Sequence, residues 1–256
     1  MRHFDFYLGE QTDITVIYLH GGGLIYGERS DLPQSYREVI LAAGFNFLAL
    51  DYPLLPGFDY AESLATLESD LQNFFDHYQD LGATSPRYLF LGRSAGAYLA
   101  FQLASRQHLP QPETIVNFYG FSSLYREEFQ EPNPHYLTFP LVKTADIATL
   151  LPQRLTASSN RDRFLLYLYY RQQGTWLKMI QPKEVPLAPD LSLAYIVHSL
   201  KDPDVSFQAA LALKKQFPEA ELIYQHADQH DFDRESTPEM IQLYQQIFTK
   251  LKERFT

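Results

Sequence analysis

The chain has 256 residues, 45% of them hydrophobic and 15% aromatic, with a formal net charge of −10. That is apolar material enough for one large domain with a sizeable core, and the lack of a basic surplus argues against binding along a nucleic-acid backbone. The absence of cysteine removes disulfide and thiolate chemistry and suits a cytoplasmic protein. Residues 1–5 lack the apolar core of a signal peptide, and no run approaches the roughly 18 apolar residues of a membrane span.

In chain order, residues 14–19, 45–50, 88–91, 115–119, 193–197 and 222–224 are short apolar runs, several without polar alternation. Such runs predict strands buried on both faces, as in a parallel sheet. Between the second and third, Leu64, Leu67, Leu71, Phe74 and Tyr78 recur at helical spacing, with Gly82 as a stop. Residues 95–103 predict a helix directly after the third strand. Near the end, Ser236-Thr237-Pro238-Glu239 has the form of a capping box opening a helix with Ile241, Tyr244, Phe248 and Leu251 on one face. Strand-helix alternation implies right-handed crossovers and a doubly wound, mostly parallel α/β sheet, with ligands at the carboxyl ends of its strands. Residues 122–190 break this rhythm. They carry repeated prolines and one helical stretch over 162–171, too long for a connection, and are expected to form an inserted helical cap over a core of residues 1–121 and 191–256.

Two glycine motifs fall at strand ends. Gly92-Arg93-Ser94-Ala95-Gly96 has the G-x-S-x-G form of a nucleophile elbow, a strand-to-helix turn that lifts a serine hydroxyl above the sheet. Gly92 and Gly96 leave room where strand and helix crowd. Upstream, His20-Gly21-Gly22-Gly23 can turn its backbone so that the amides of Gly22 and Gly23, with that of Ala95, converge on an oxyanion. His20 reads as a brace for this loop. Neither a G-x-G-x-x-G nor a P-loop lysine is present, so a nucleotide cradle is not expected. Serine needs a base, and the base a carboxylate. Asp202 follows the strand at 193–197, with Asp204 as a rival that could instead cap the next helix. His230 lies in the loop after the strand at 222–224, and His226 nearer the strand end. The order Ser94, Asp202, His230 is that expected of such a triad. His226 and His230 with Asp228 and Asp231 could suggest a metal site, but i, i+4 histidines serve a metal on a helix, and these follow a strand; no metal is expected.

Together these strings resemble the hormone-sensitive-lipase-like esterases of the α/β-hydrolase superfamily, including small bacterial members. His20-Gly21-Gly22-Gly23-Leu24, Asp51-Tyr52-Pro53-Leu54-Leu55-Pro56 and the elbow carry the resemblance. It implies the α/β-hydrolase fold, a Ser-His-Asp triad, no cofactor, and hydrolysis of short-acyl carboxylic esters as small-molecule substrates. Arg93 departs from the acidic or histidine residue usual before the nucleophile, Pro53 from an arginine, Ala97 from a glycine, and the insertion lies later in the chain than that family's cap. Phe118, Tyr119, Phe121, Tyr125, Phe129, Tyr136, Phe139, Tyr167, Tyr170 and Trp176 are candidates to wall an apolar pocket, though each could as readily pack inside the cap. An exopeptidase or amidase on the same scaffold, or a non-catalytic binding homologue, are the alternatives. No nucleic-acid or membrane partner is expected, and a homodimer is compatible with the chain.

Overall fold

The architecture, in a computed structural model that describes residues 4–10, 13–158 and 161–255, centres on one seven-stranded sheet. In chain order the elements are β1 (Phe4–Tyr7), β2 (Thr15–Leu19), α1 (Gln34–Ala42), β3 (Asn46–Leu50), α2 (Tyr60–His77), β4 (Tyr88–Arg93), α3 (Ala95–Ala104) and β5 (Ile115–Phe118). There follow α4 (Thr144–Ile147), α5 (Arg161–Gln173), α6 (Trp176–Ile180), β6 (Leu193–Ser199), α7 (Phe207–Gln216), β7 (Glu221–Gln225) and α8 (Pro238–Phe255). The spatial order is β1-β3-β2-β4-β5-β6-β7, parallel throughout except for β1 on β3. The chain is therefore a mostly parallel, doubly wound α/β structure.

The apolar runs become strands because both faces are covered. Ile17 and Leu19 face a core shared with α2, α3 and α7, whereas Val16 and Tyr18 face one shared with α1 and α8. The central strands β2 to β5 are buried at every position. Two elements carry little sequence signal. β1 is a four-residue edge strand, half-buried at each position, and α1 buries only Tyr36 and Ile40. The start of α2 is set by a capping box in which Asp59 accepts from the Glu62 amide at 2.7 Å and Glu62 accepts from the Asp59 amide at 2.8 Å. At α8 the expected box is shifted. Thr237 rather than Ser236 caps, accepting from the Met240 amide at 3.3 Å with Pro238 as the first helical residue.

Between β5 and β6 the described residues form no strand, only α4 to α6 and short 3₁₀ turns. This segment shares the core rather than standing apart: Phe121, Phe129, Leu166, Tyr167 and Trp176 join the cluster that includes α2 and α3. Arg163 donates to the carbonyls of Ile25 and Leu55 at 2.7 and 2.6 Å, and Gly27 exchanges backbone bonds with Ser158. Among the described residues, no helix is long and apolar enough to cross a membrane.

Candidate active site

Ser94 stands between the last residue of β4 and the first of α3, with φ 52° and ψ −121°. A serine in this region is strained by about 1–3 kcal/mol, and the surroundings enforce it. Its amide donates to the Phe118 carbonyl on β5 at 2.9 Å, and the helix starts at once. Gly96 must lack a side chain, since a Cβ there would lie 2.1 Å from the Leu19 carbonyl oxygen.

The structure brings Ser94, His230 and Asp202 together. Ser94 Oγ lies 2.8 Å from His230 Nε2, and His230 Nδ1 lies 2.7 Å from Asp202 Oδ2. With Nδ1 donating to the carboxylate, Nε2 is left as an acceptor for the serine hydroxyl. The Asp202 side chain is fully buried and accepts the amides of Asp204 and Val205 on Oδ1, each at 2.9 Å. His198 Nε2, which donates to the Val205 carbonyl at 2.9 Å, is also 3.3 Å from Asp202 Oδ2. His226, the alternative base, is exposed just beyond β7.

These contacts separate the proton affinities of the pair. Burial favours a neutral Asp202, but His230 and His198 outweigh it and hold the carboxyl well below the usual range. Burial also works against charge on His230. The Asp202 carboxylate, with Asp204 and Asp231 further off, reverses this and lifts the imidazole to about 9.

The glycine loop lies beside Ser94 on the same cavity. Gly23 has φ +61°, and any side chain there would strike the Tyr167 ring, with a Cβ 2.3 Å from its edge. The loop is clamped from both sides. Trp176 Nε1 donates to the Gly23 carbonyl at 3.0 Å, and Tyr52 OH donates to the His20 carbonyl at 2.9 Å. His20 stacks on Tyr52 with ring centroids 4.1 Å apart, and its Nδ1 is 2.8 Å from the Gly21 carbonyl. Among the described residues, no backbone turn or cap bond takes up the amides of Gly22, Gly23 or Ala95.

Two buried ion pairs flank the trio. Arg93, 5% exposed, places NH2 2.6 Å from Asp233 Oδ1, and Tyr119 and Tyr244 donate to the same carboxylate at 2.6 and 2.7 Å. Tyr119 also packs edge-on against His230 at 4.9 Å. On the other side Asp204 accepts from Tyr167 OH at 2.7 Å and Arg171 Nε at 3.1 Å, and its Oδ2 lies 4.0 Å from His230 Nε2. Asp204 therefore does not cap α7; Ser206 occupies that position, and Asp204 turns toward α5. His198, Asp233 and Arg171 escape a reading of local motifs. His198 left one trace, a buried polar residue near the end of the mostly apolar β6, four positions before Asp202.

The cavity at Ser94 has a volume of about 240 Å³. Of the ten aromatics proposed from sequence, only Tyr119 and Tyr167 line it. Phe118, Phe121, Phe129, Tyr136 and Trp176 are buried in the cores, Tyr170 packs at their edge, and Tyr125 and Phe139 are exposed. Most of these aromatics pack in the core, where they join α5 and α6 to the sheet, and the cavity wall is largely polar.

Comparison with known proteins agrees with this fold. A sequence model of the alpha/beta hydrolase fold family matches residues 16–233. An alpha/beta hydrolase superfamily protein from Enterococcus faecalis superposes with a TM-score of 0.84 at 28% identity, covering 98% of this chain and 95% of that one. An acetyl esterase from Salmonella paratyphi B is 30% identical over 93 residues, 36% of this chain and 29% of the esterase. The non-reducing polyketide synthase adrD of Penicillium rubens is 27% identical over 149 residues, 54% of this chain and 6% of the synthase. The chain thus aligns with less than a third of either curated relative.

Proposed function

This chain belongs to the α/β-hydrolase fold family, and on that premise we propose that it is a serine carboxylesterase acting on short-acyl esters through an acyl-enzyme. The observation that carries the reading is the continuous hydrogen-bonded line from Ser94 Oγ through His230 to a buried Asp202. The likeness to an acetyl esterase supports the short acyl group.

Ser94 Oγ attacks the ester carbonyl carbon while its proton passes to His230 Nε2. Asp202 holds the ring by Nδ1 and stabilises the imidazolium that forms. The carbonyl oxygen, now negative, rests on the amides of Gly22, Gly23 and Ala95; one such donor is typically worth about 2.7–4 kcal/mol. Collapse breaks the bond to the alcohol oxygen, which leaves with the proton from Nε2. Water then attacks the acyl-serine by the same steps, releasing the acid and restoring the hydroxyl. The segment between β5 and β6 serves as a fixed cap, since Arg163, Trp176 and Arg171 tie it to the loops that carry the reaction.

A fluorophosphonate should add to Ser94 alone, read by mass spectrometry of the digested protein. Ser94→Ala should abolish both labelling and turnover of p-nitrophenyl acetate with its thermal transition nearly unchanged. Turnover at the wild-type rate by that variant would remove Ser94 from the mechanism.

A further inference from the structure

The cavity is strange for an enzyme of simple alkyl esters. Among the described residues that line it there is no aliphatic side chain and no phenylalanine; Tyr26, Glu28, Asp31, Ser158, Asp231 and Arg234 supply much of its wall. Asp204 has the most telling place. It is 4% exposed, yet it lines the cavity, and its Oδ2 sits 4.0 Å from His230 Nε2. Its other partners come from the cap: Tyr167 bonds Oδ2, and Arg171 bonds Oδ1 and the Asp204 carbonyl. The carboxylate is therefore held rigidly, with its charge matched by Arg171, on the wall beside the reacting centre.

In the mechanism above, Nε2 delivers its proton to the departing alcohol oxygen. That oxygen must come within about 2.6–3.2 Å of Nε2. Two oxygens on adjacent carbons lie within a few ångströms of each other, so a hydroxyl next to the ester oxygen falls within hydrogen-bond reach of Asp204 Oδ2. An alkyl alcohol would press carbon against this buried carboxylate and offer no donor to the face of Oδ2 left open by Tyr167 and Arg171, and a site built to take a hydrogen bond from its substrate rejects analogues that lack the donor.

We propose that Asp204 and the polar wall around it form a leaving-group subsite for polyhydroxylated alcohols, so that the substrates are short-acyl esters of vicinal diols such as glycerol or a sugar. The inference rests on the esterase reading and deepens it. A neutral polyol rather than a cation is the ligand that suits this subsite, because Asp204 is already balanced by Arg171 and Asp231 by Arg234.

The test holds the acyl group constant and changes the alcohol. For the wild-type chain, kcat/KM for glycerol 1-monoacetate should exceed that for propyl acetate, its deoxygenated counterpart, by about tenfold or more. Acetylcholine should be no better than propyl acetate. In Asp204→Asn the glycerol-to-propyl ratio should fall severalfold or more. Should that variant fail to fold, the wild-type ratio alone decides. Equal rates for glycerol and propyl acetates, or a preference for acetylcholine, would overturn the subsite while leaving the esterase reading intact. That reading fails separately, if p-nitrophenyl acetate is turned over without Ser94.

Discussion

Arg93 and Arg171 are both buried, both paired with an aspartate, and both act on a loop that carries a member of the proposed triad, yet they do different things. Arg93 binds Asp233, three residues beyond His230, and so ties the histidine loop to the residue before Ser94. Its aspartate takes three donors from the core, Arg93, Tyr119 and Tyr244, and is fully buried. Arg171 binds Asp204, two residues beyond Asp202, and ties the acid loop to α5. Its aspartate faces the cavity. The same ion-pair chemistry closes one side of the site and leaves the other open to a ligand. A buried pair adds little net stability over an apolar one, but it leaves an expensive charge behind when one partner is removed.

The largest effect should separate the two carboxylates of one loop. Asp202→Asn should reduce kcat for p-nitrophenyl acetate by about 10⁴-fold, because the amide no longer selects the tautomer with Nε2 free, while Asp204→Asn should cost far less. The reverse order, read by steady-state kinetics, would exchange their roles. Next, Arg93→Met should lower unfolding free energy by about 3–5 kcal/mol by stranding Asp233, and adding Asp233→Asn should restore much of it. Arg171→Met should cost less in the same chemical denaturation, since Asp204 keeps Tyr167 and the cavity. Similar losses in both would erase the distinction between closed and open.

A pH profile sharpens the comparison further. The Asp202 carboxylate raises the His230 pKa to about 9, so the neutral imidazole that takes the Ser94 proton gains population as pH rises. For the free enzyme, kcat/KM should therefore rise with pH, with its inflection near 9 and its plateau above that. Removing the Asp204 charge by Asp204→Asn should move the inflection to lower pH. Tyr244→Phe, which trims one donor from Asp233, should leave it in place. The smallest effect is that variant's stability, with a loss of about 1 kcal/mol in the thermal transition. An inflection that moves equally in both variants would make the two clusters equivalent toward His230.

Much of this molecule is legible locally. The apolar runs of β2 to β5 announce themselves because burial on both faces removes polar alternation, and the elbow does so because a strand, a small-residue turn and a helix must follow one another without a gap. β1 and α1 stay hidden, since an edge strand of four half-buried residues and a helix with two buried side chains leave almost no pattern. The aromatic stretch between β5 and β6 is ambiguous in sequence, since its composition fits a pocket wall or a core; burial against Gly23, Arg171 and the sheet uses most of it.

From the chain alone came the sheet, the strand ends that hold the glycine motifs, and the order in which Ser94, Asp202 and His230 occur, because each depends on contacts within a few residues or on burial averaged along a strand. The contact of Asp202 with His230 Nδ1, the joining of Arg93 to Asp233 and of Arg171 to Asp204, and the polar face of the cavity appear only in the tertiary structure. Those partners lie 28 to 140 residues apart. No local propensity records such a distance; it becomes a contact only when the sheet and its loops are closed.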